Sequence, residues 1–252
     1  KLAGEYLHVS GLIFTNGYTP SNSVIEFKNN NEVANHCIVS NCVIDEFSNP
    51  ERNKQDFWIQ VNGRNNTIEF CYLAGKTNRG MTLTVRLDSL TSTETHHHIY
   101  RNYFGKREPL GENGGETIQI GLSETSLLNA WVKVEENFFE HCNGELEIIS
   151  VKSCENLIIN NVFKECEGML TLRHGHRNTV YGNIFLGNGV EGTGGIRIIN
   201  ENQKVFNNFF SGLRGKGVCG SLVLVNGVPN SKPKEYMQVK NAVVFNNTFY
   251  DC

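Results

Sequence analysis

A six-residue pattern, apolar-x-x-Asn-x-apolar, returns along the chain and constrains its fold more than any other feature. It reads Ile38-Val-Ser-Asn41-Cys-Val43, Ile68-Glu-Phe-Cys71-Tyr-Leu73, Ile99-Tyr-Arg-Asn102-Tyr-Phe104 and Val134-Glu-Glu-Asn137-Phe-Phe139. It continues as Ile158-Ile-Asn-Asn161-Val-Phe163, Val180-Tyr-Gly-Asn183-Ile-Phe185, Val205-Phe-Asn-Asn208-Phe-Phe210 and Val244-Phe-Asn-Asn247-Thr-Phe249. Copies are 22, 24 and 25 residues apart in the middle of the chain and 39 apart where a loop, Gly227 to Glu235, is inserted. A period in the twenties, with short β-rich segments and no helical periodicity, signals a solenoid. Leucine-rich repeats need Leu at fixed strand positions, whereas these strands prefer Val, Ile and Phe, and propeller blades are longer. The expected fold is therefore all-β, a right-handed single-stranded parallel β-helix. The recurring Asn suits a turn, because it tolerates left-handed backbone and hydrogen-bonds its neighbours. Stacked coil upon coil, it forms an Asn ladder. Solenoids need caps on their terminal coils. Tyr6 to Phe14 already reads as a coil and Cys252 follows another, so terminal coils are expected to be missing, and 1–252 reads as one β-helix domain of a longer chain.

Composition excludes several partners. A net charge of −3 and a pI near 6.3 do not suit nucleic acid or an anionic membrane surface. No apolar run is long enough to span a bilayer. The eight cysteines include no C-x-x-C pair, which argues against zinc and for buried free thiols, with one or two disulfides left open if the protein is exported. His96-His97-His98 has the composition of a metal cluster. Successive strand residues point to opposite sides, so the expectation is three surface histidines.

A second column of strands follows the Asn segments: Thr82–Arg86, Thr117–Ile120, Glu145–Ile148, Thr171–Arg173, Ile196–Ile198 and Leu222–Leu224. Glu145 and Glu147 alternate with Leu146 and Ile148, the period-2 pattern that puts both carboxylates on the solvent face. Aligning Gly144 with Gly168 sets Leu146 over Leu170, Glu147 over Thr171 and Ile148 over Leu172, and carries Arg173 into the outward row. With coils about 4.8 Å apart, Lys152, Arg173 and Arg197 converge on the same patch as the acidic pair. A solvated polar face is the bland alternative, but opposite charges crowded onto a few rows favour a groove for an extended anionic polymer. His174 points away from Arg173 by alternation unless the backbone turns there. His176 and Arg177 follow Gly175 on an expected solvated turn, and Arg214 and Lys216 edge the groove.

Asn113-Gly-Gly-Glu-Thr-Ile-Gln-Ile-Gly121, Gly144-Glu-Leu-Glu-Ile-Ile-Ser-Val-Lys-Ser153, Leu172-Arg-His-Gly175 and Gly192-Thr-Gly-Gly-Ile-Arg197 resemble the motifs of polysaccharide lyase family 6, the alginate lyases and chondroitinase B. The resemblance runs through most of the chain. It implies a parallel β-helix, Lys152 as Brønsted base, Arg173 as the acid-side residue, a calcium ion held by Asn113, Glu145 and Glu147, and Arg197 as a substrate-binding arginine. His174 is grouped with Arg197 as a substrate contact. The implied reaction fits these residue types. β-Elimination removes the C5 proton of a uronate beside a carboxylate whose charge must be neutralised, and a hard cation on oxygen ligands does that. Lys152 is a base only when neutral. Arg173 stays protonated, so it suits charge stabilisation better than literal proton donation. The wording of the motifs is closer to the alginate lyases, with a dermatan or chondroitin sulfate lyase as the alternative enzyme. A noncatalytic polysaccharide-binding β-helix is the alternative of another class. The expected protein is a secreted or periplasmic monomer acting on alginate.

Overall fold

Each repeat folds into one coil of three short strands, as the interval from His98 to Ile120 shows with His98–Tyr100, Tyr103–Phe104 and Ile118–Ile120. The computed structural model describes residues 1–232 and 235–252; Pro233 and Lys234, within the inserted Gly227–Glu235 loop, lie outside the described residues. Every strand of a coil pairs in parallel with its counterparts in the coils before and after, giving two nine-stranded sheets and one of eight strands. This is a parallel β-helix. A small extra sheet near the start joins Gly4–Glu5 to Glu32–Asn35, which also pairs antiparallel with Lys28–Asn29.

In the two nine-stranded sheets the central residue of each three-residue strand points inward, so like stacks on like. Ile68, Ile99, Val134, Ile158, Val180 and Val205 are in direct register and fully buried. In the neighbouring sheet Phe104, Phe139, Phe163, Phe185, Phe210 and Phe249 form a continuous stack with ring centroids 4.6–4.9 Å apart. β-Branched and aromatic side chains suit this pleated, close-packed interior.

Between these two sheets runs the expected Asn ladder. Asn102, Asn137, Asn161, Asn183 and Asn208 each donate Nδ2–H to Oδ1 of the next, ending on Asn247, at 2.9–3.0 Å. The same amides donate to main-chain carbonyls of the preceding coil, for example Asn137 to Ile99. Two details differ from the sequence reading. The ladder residues are not the left-handed ones: positive φ falls on the residue before each, such as Phe70 (53°), Arg101 (51°) and Asn160 (56°). The first repeat is also out by one, because Val43 pairs with Tyr72 and puts Cys42, not Asn41, beside Cys71.

A second ladder, not foreseen, lines the other end of the same sheet. The Cys37 amide donates to Asn66 Oδ1, and the amides of Asn156 and Asn178 donate to Asn178 Oδ1 and Gln203 Oε1. His97 is a rung of it, accepting the Asn66 N–H at Nδ1 over 3.1 Å. Burial pushes this imidazole down to about 3, so it is neutral. The surface expectation fails at His97, which is interior; His96 is exposed and stacks on Trp131, and half-buried His98 lies 2.8 Å from Glu135. All eight cysteines are free thiols; Cys219 is partly exposed, Cys252 is exposed and the other six are buried. Among the described residues no helix is long and apolar enough to cross a membrane.

Candidate active site

Four consecutive coils of the eight-stranded sheet build a groove on its outer face, through the strands Ile118–Ile120, Glu147–Lys152, Gly168–His174 and Thr193–Ile198. Its central cavity measures about 780 Å³, and Asn113, Glu145, Glu147, Lys152, Arg173, His174 and Arg197 all line it.

The convergence is right but its route differs from the simple alternation. The strand starts at Glu147, and Glu145 lies in the turn before it. Leu146 is exposed while Ile148 and Ile149 are both buried, since the ladder slips between Glu147 and Ile149. The facing pairs are therefore Ile149 with Leu170, Ser150 with Thr171 and Val151 with Leu172, three residues from the register that the glycine alignment gives. A second slip pairs Lys152 with His174 directly after Val151 with Leu172, leaving Arg173 as the extra residue of a bulge. Bulges re-aim side chains. This one lets Arg173 and His174, adjacent in sequence, both face the groove.

Two glycines allow the acidic residues to meet. A Cβ on Gly144 would sit 2.2 Å from the Gly115 carbonyl oxygen, and one on Gly115 would sit 2.4 Å from the Gly144 oxygen. This contact brings the Gly114-Gly115-Glu116 turn against the turn carrying Glu145, whose Oε2 accepts the Gly114 and Gly115 amides at 2.8 and 3.3 Å. Beneath, buried Arg107 donates to the carbonyl oxygens of Glu116, Gly80 and Asn78, at 2.7, 2.7 and 3.2 Å. Two adjacent coils are tied under the acidic turn by one guanidinium.

The result is a carboxylate trio that the sequence reading only partly found. Glu116, Glu145 and Glu147 each place an oxygen within 4.8 Å of the others. Glu116 lay inside the Asn113–Gly121 motif, and the pattern Asn-Gly-Gly-Glu was the available signal. Its Oε1 takes a 3.2 Å bond from Gln119 and lies 3.5 Å from Lys152 Nζ, whereas Oε2 is buried with no hydrogen-bond partner among the described residues. Burial, then the charges of Glu116 and Glu147, push Glu145 up to about 7. Crowded carboxylates with an orphaned buried oxygen fit a hard divalent cation such as calcium; Asn113 lines the same cavity.

Basic groups close the other side. Arg197 Nη2 lies 2.5 Å from Glu147 Oε1, Arg173 Nε lies 3.6 Å from it, and Ser150 Oγ donates to Oε2. His174 Nε2 is 3.2 Å from Ser123 Oγ; burial and then the charges of Arg173 and Lys152 push its imidazole down to about 4. At neutral pH it offers hydrogen bonds without charge. Arg214 and Lys216 pair with Asp251 and Glu191, and neither is among the residues lining the central cavity. Arg177 pairs with Glu155 on the turn, as its exposed position implied.

The family model described as Chondroitinase B matches residues 1–252. No curated protein matches the chain. Among solved structures, the PL6 family alginate lyase AlyGC is 53% identical, with a TM-score of 0.97 over 98% of this chain and 34% of its own. A mannuronic acid specific polysaccharide family 6 lyase from human gut microbiota is 36% identical, with a TM-score of 0.92 over 99% of this chain and 59% of its own. Alginate lyase AlyF-OU02, in complex with G6, is 25% identical, with a TM-score of 0.83 over 98% of this chain and 57% of its own. The chain spans about a third of the length of AlyGC and less than two thirds of the other two.

Proposed function

This chain belongs to polysaccharide lyase family 6, the family of chondroitinase B, and on that premise we propose that it cleaves alginate by β-elimination, leaving a 4,5-unsaturated end on one product. One observation carries the reading: a lysine, an arginine and a neutral histidine face a carboxylate trio across one groove. AlyGC, which is similar over nearly the whole chain, is an alginate lyase.

Lys152, as the neutral amine, takes the C5 proton of the uronate at the cleavage point. The electron pair left on C5 becomes the C4–C5 double bond as the C4–O4 bond breaks, and O4 leaves with a proton from water or a neighbouring group. Arg173 presents a buried Nη1 that has no partner among the described residues, so a substrate oxygen bearing developing charge gains a donor, the usual large electrostatic contribution. His174 and Arg197 contact the sugar. Glu116, Glu145 and Glu147, with Asn113, would hold calcium, which when bound supplies positive charge to the uronate carboxylate. The substrate is extracellular, so the reading also makes the protein secreted or periplasmic; cell fractionation tests that.

The deciding experiment is ultraviolet absorbance of purified protein mixed with alginate in calcium, because elimination makes a conjugated double bond and hydrolysis does not. A rise that Lys152→Ala abolishes while polymer binding persists supports the proposal. The name of the matching family model makes dermatan sulfate the parallel substrate. A rise with that polymer alone moves the assignment to it, and binding without any rise makes the protein a carbohydrate-binding module.

A further inference from the structure

The geometry points to Tyr236 as a positioning residue for Arg173, a role that rests on the lyase reading of this groove. Arg173 is the bulged residue of its strand, so the sheet does not fix its side chain as it fixes a residue in regular register. Glu147 restrains it weakly: the 3.6 Å separation is too long for a hydrogen bond, and Arg197 holds the same oxygen at 2.5 Å. The close contact is aromatic. Arg173 Cζ lies 3.9 Å from the centroid of the Tyr236 ring.

Tyr236 reaches this position from the long excursion after Leu222–Leu224, two coils beyond Arg173. The excursion folds back on itself, with the Val228 amide donating to the Tyr236 carbonyl oxygen at 2.8 Å, and is pinned to the helix body by the Asn200 amide on the Met237 oxygen at 3.3 Å. Tyr236 is 39% exposed and forms part of the cavity wall. It therefore covers one face of the guanidinium. Nη1 of Arg173 is buried and has no partner among the described residues, the state of a donor held for a ligand. A guanidinium over an aromatic face is attracted by the ring quadrupole and loses rotational freedom. Tyr236 thus sets the plane of Arg173, while Arg173 touches the substrate.

The test uses Tyr236→Phe and Tyr236→Ala. The stack needs the ring and not the hydroxyl, so the Phe variant should restore most of the kcat that the Ala variant loses. The Ala variant should lose roughly tenfold in kcat, with a smaller change in KM and an unchanged melting temperature, and should lose nothing further in an Arg173→Lys background. A wild-type kcat in the Ala variant, or an equal loss in both backgrounds, would overturn the assignment. A measurement independent of turnover separates this from failure of the lyase reading. The Arg173 Nε–H resonance should carry an aromatic ring-current shift in the wild type and Phe variant, and lose it in the Ala variant. Absence of that shift in the wild type sinks the inference even if the enzyme is a lyase, and its presence sustains the contact even if no polymer is cleaved.

Discussion

Arg197 and Arg173 approach the same carboxylate oxygen of Glu147, at 2.5 and 3.6 Å. The nearer arginine occupies the carboxylate and so keeps the farther one available to the groove. Arg197→Met should release Glu147 to capture Arg173. We expect kcat on the cleaved polymer to fall more than tenfold, together with a stability loss of ~3 kcal/mol from breaking a buried pair. Rate assays and urea denaturation check both, and an unchanged kcat would show that the two arginines act independently.

Glu116 belongs to the acidic trio as fully as Glu145 of the turn and Glu147 at the start of the strand. Glu116→Gln keeps the size of the side chain and its bond from Gln119 while removing a formal charge. Calcium affinity measured by titration calorimetry should weaken at least tenfold, since ligand charge count sets affinity in oxygen sites. Equal affinities in the two proteins would place the ion elsewhere.

His97 links stability to pH. Its folded value of about 3 lies below the ordinary 6.5, so the unfolded chain binds a proton that the folded chain refuses. The sign follows: the stabilisation is complete above about pH 6.5 and is lost as pH falls from there toward 3. The loss by pH 4 is of the order of a few kcal/mol. His97→Asn supplies the side-chain oxygen that the Asn66 amide requires and does not titrate. Melting curves between pH 7 and 4 should fall less steeply for this variant than for the wild type, and parallel curves would acquit His97.

Asn161 sits mid-ladder, accepting from Asn137 and donating to Val134 O and Asn183 Oδ1. Replacement by Ala orphans buried groups in two neighbouring coils. A loss of about 3 kcal/mol is expected in denaturant unfolding, against about 1 kcal/mol for Asn41→Ala, which lies outside the ladder on an exposed turn with a left-handed backbone (φ 52°). Similar effects at the two positions would mean that the ladder contributes no more than an ordinary turn.

The coil architecture was legible because a solenoid interior imposes one environment again and again: the inward Ile, Val and Phe repeat since each faces its own copy. The Asn ladder was legible for the same reason. Its first rung was misplaced because Asn41 and Cys42 both suit a tight turn, and only strand pairing decides which faces inward. The site was legible in membership and less so in geometry. Regular alternation places Leu146 inside and separates Arg173 from His174, and two register slips reverse both outcomes. Bulges leave no mark in a period-2 pattern. Glu116 was visible in its motif, but its partnership with Glu145 depends on the close approach of Gly115 and Gly144. Arg107 and Tyr236 act across coils from outside the repeated strands, and neither carries a periodic signal.

The path of the Tyr236 excursion has a consequence for the order of assembly. Coils of a solenoid dock on their nearest neighbours, so a chain emerging from the ribosome can lay down the strands of Lys152 and Arg173 as soon as the next coil arrives. The wall that sets Arg173 comes from two coils later. Synthesis runs from the N-terminus at about 5–20 residues per second, so for several seconds a nascent chain carries every charged group of the groove without the ring that aligns one of them. Maturation of the site lags behind formation of the fold.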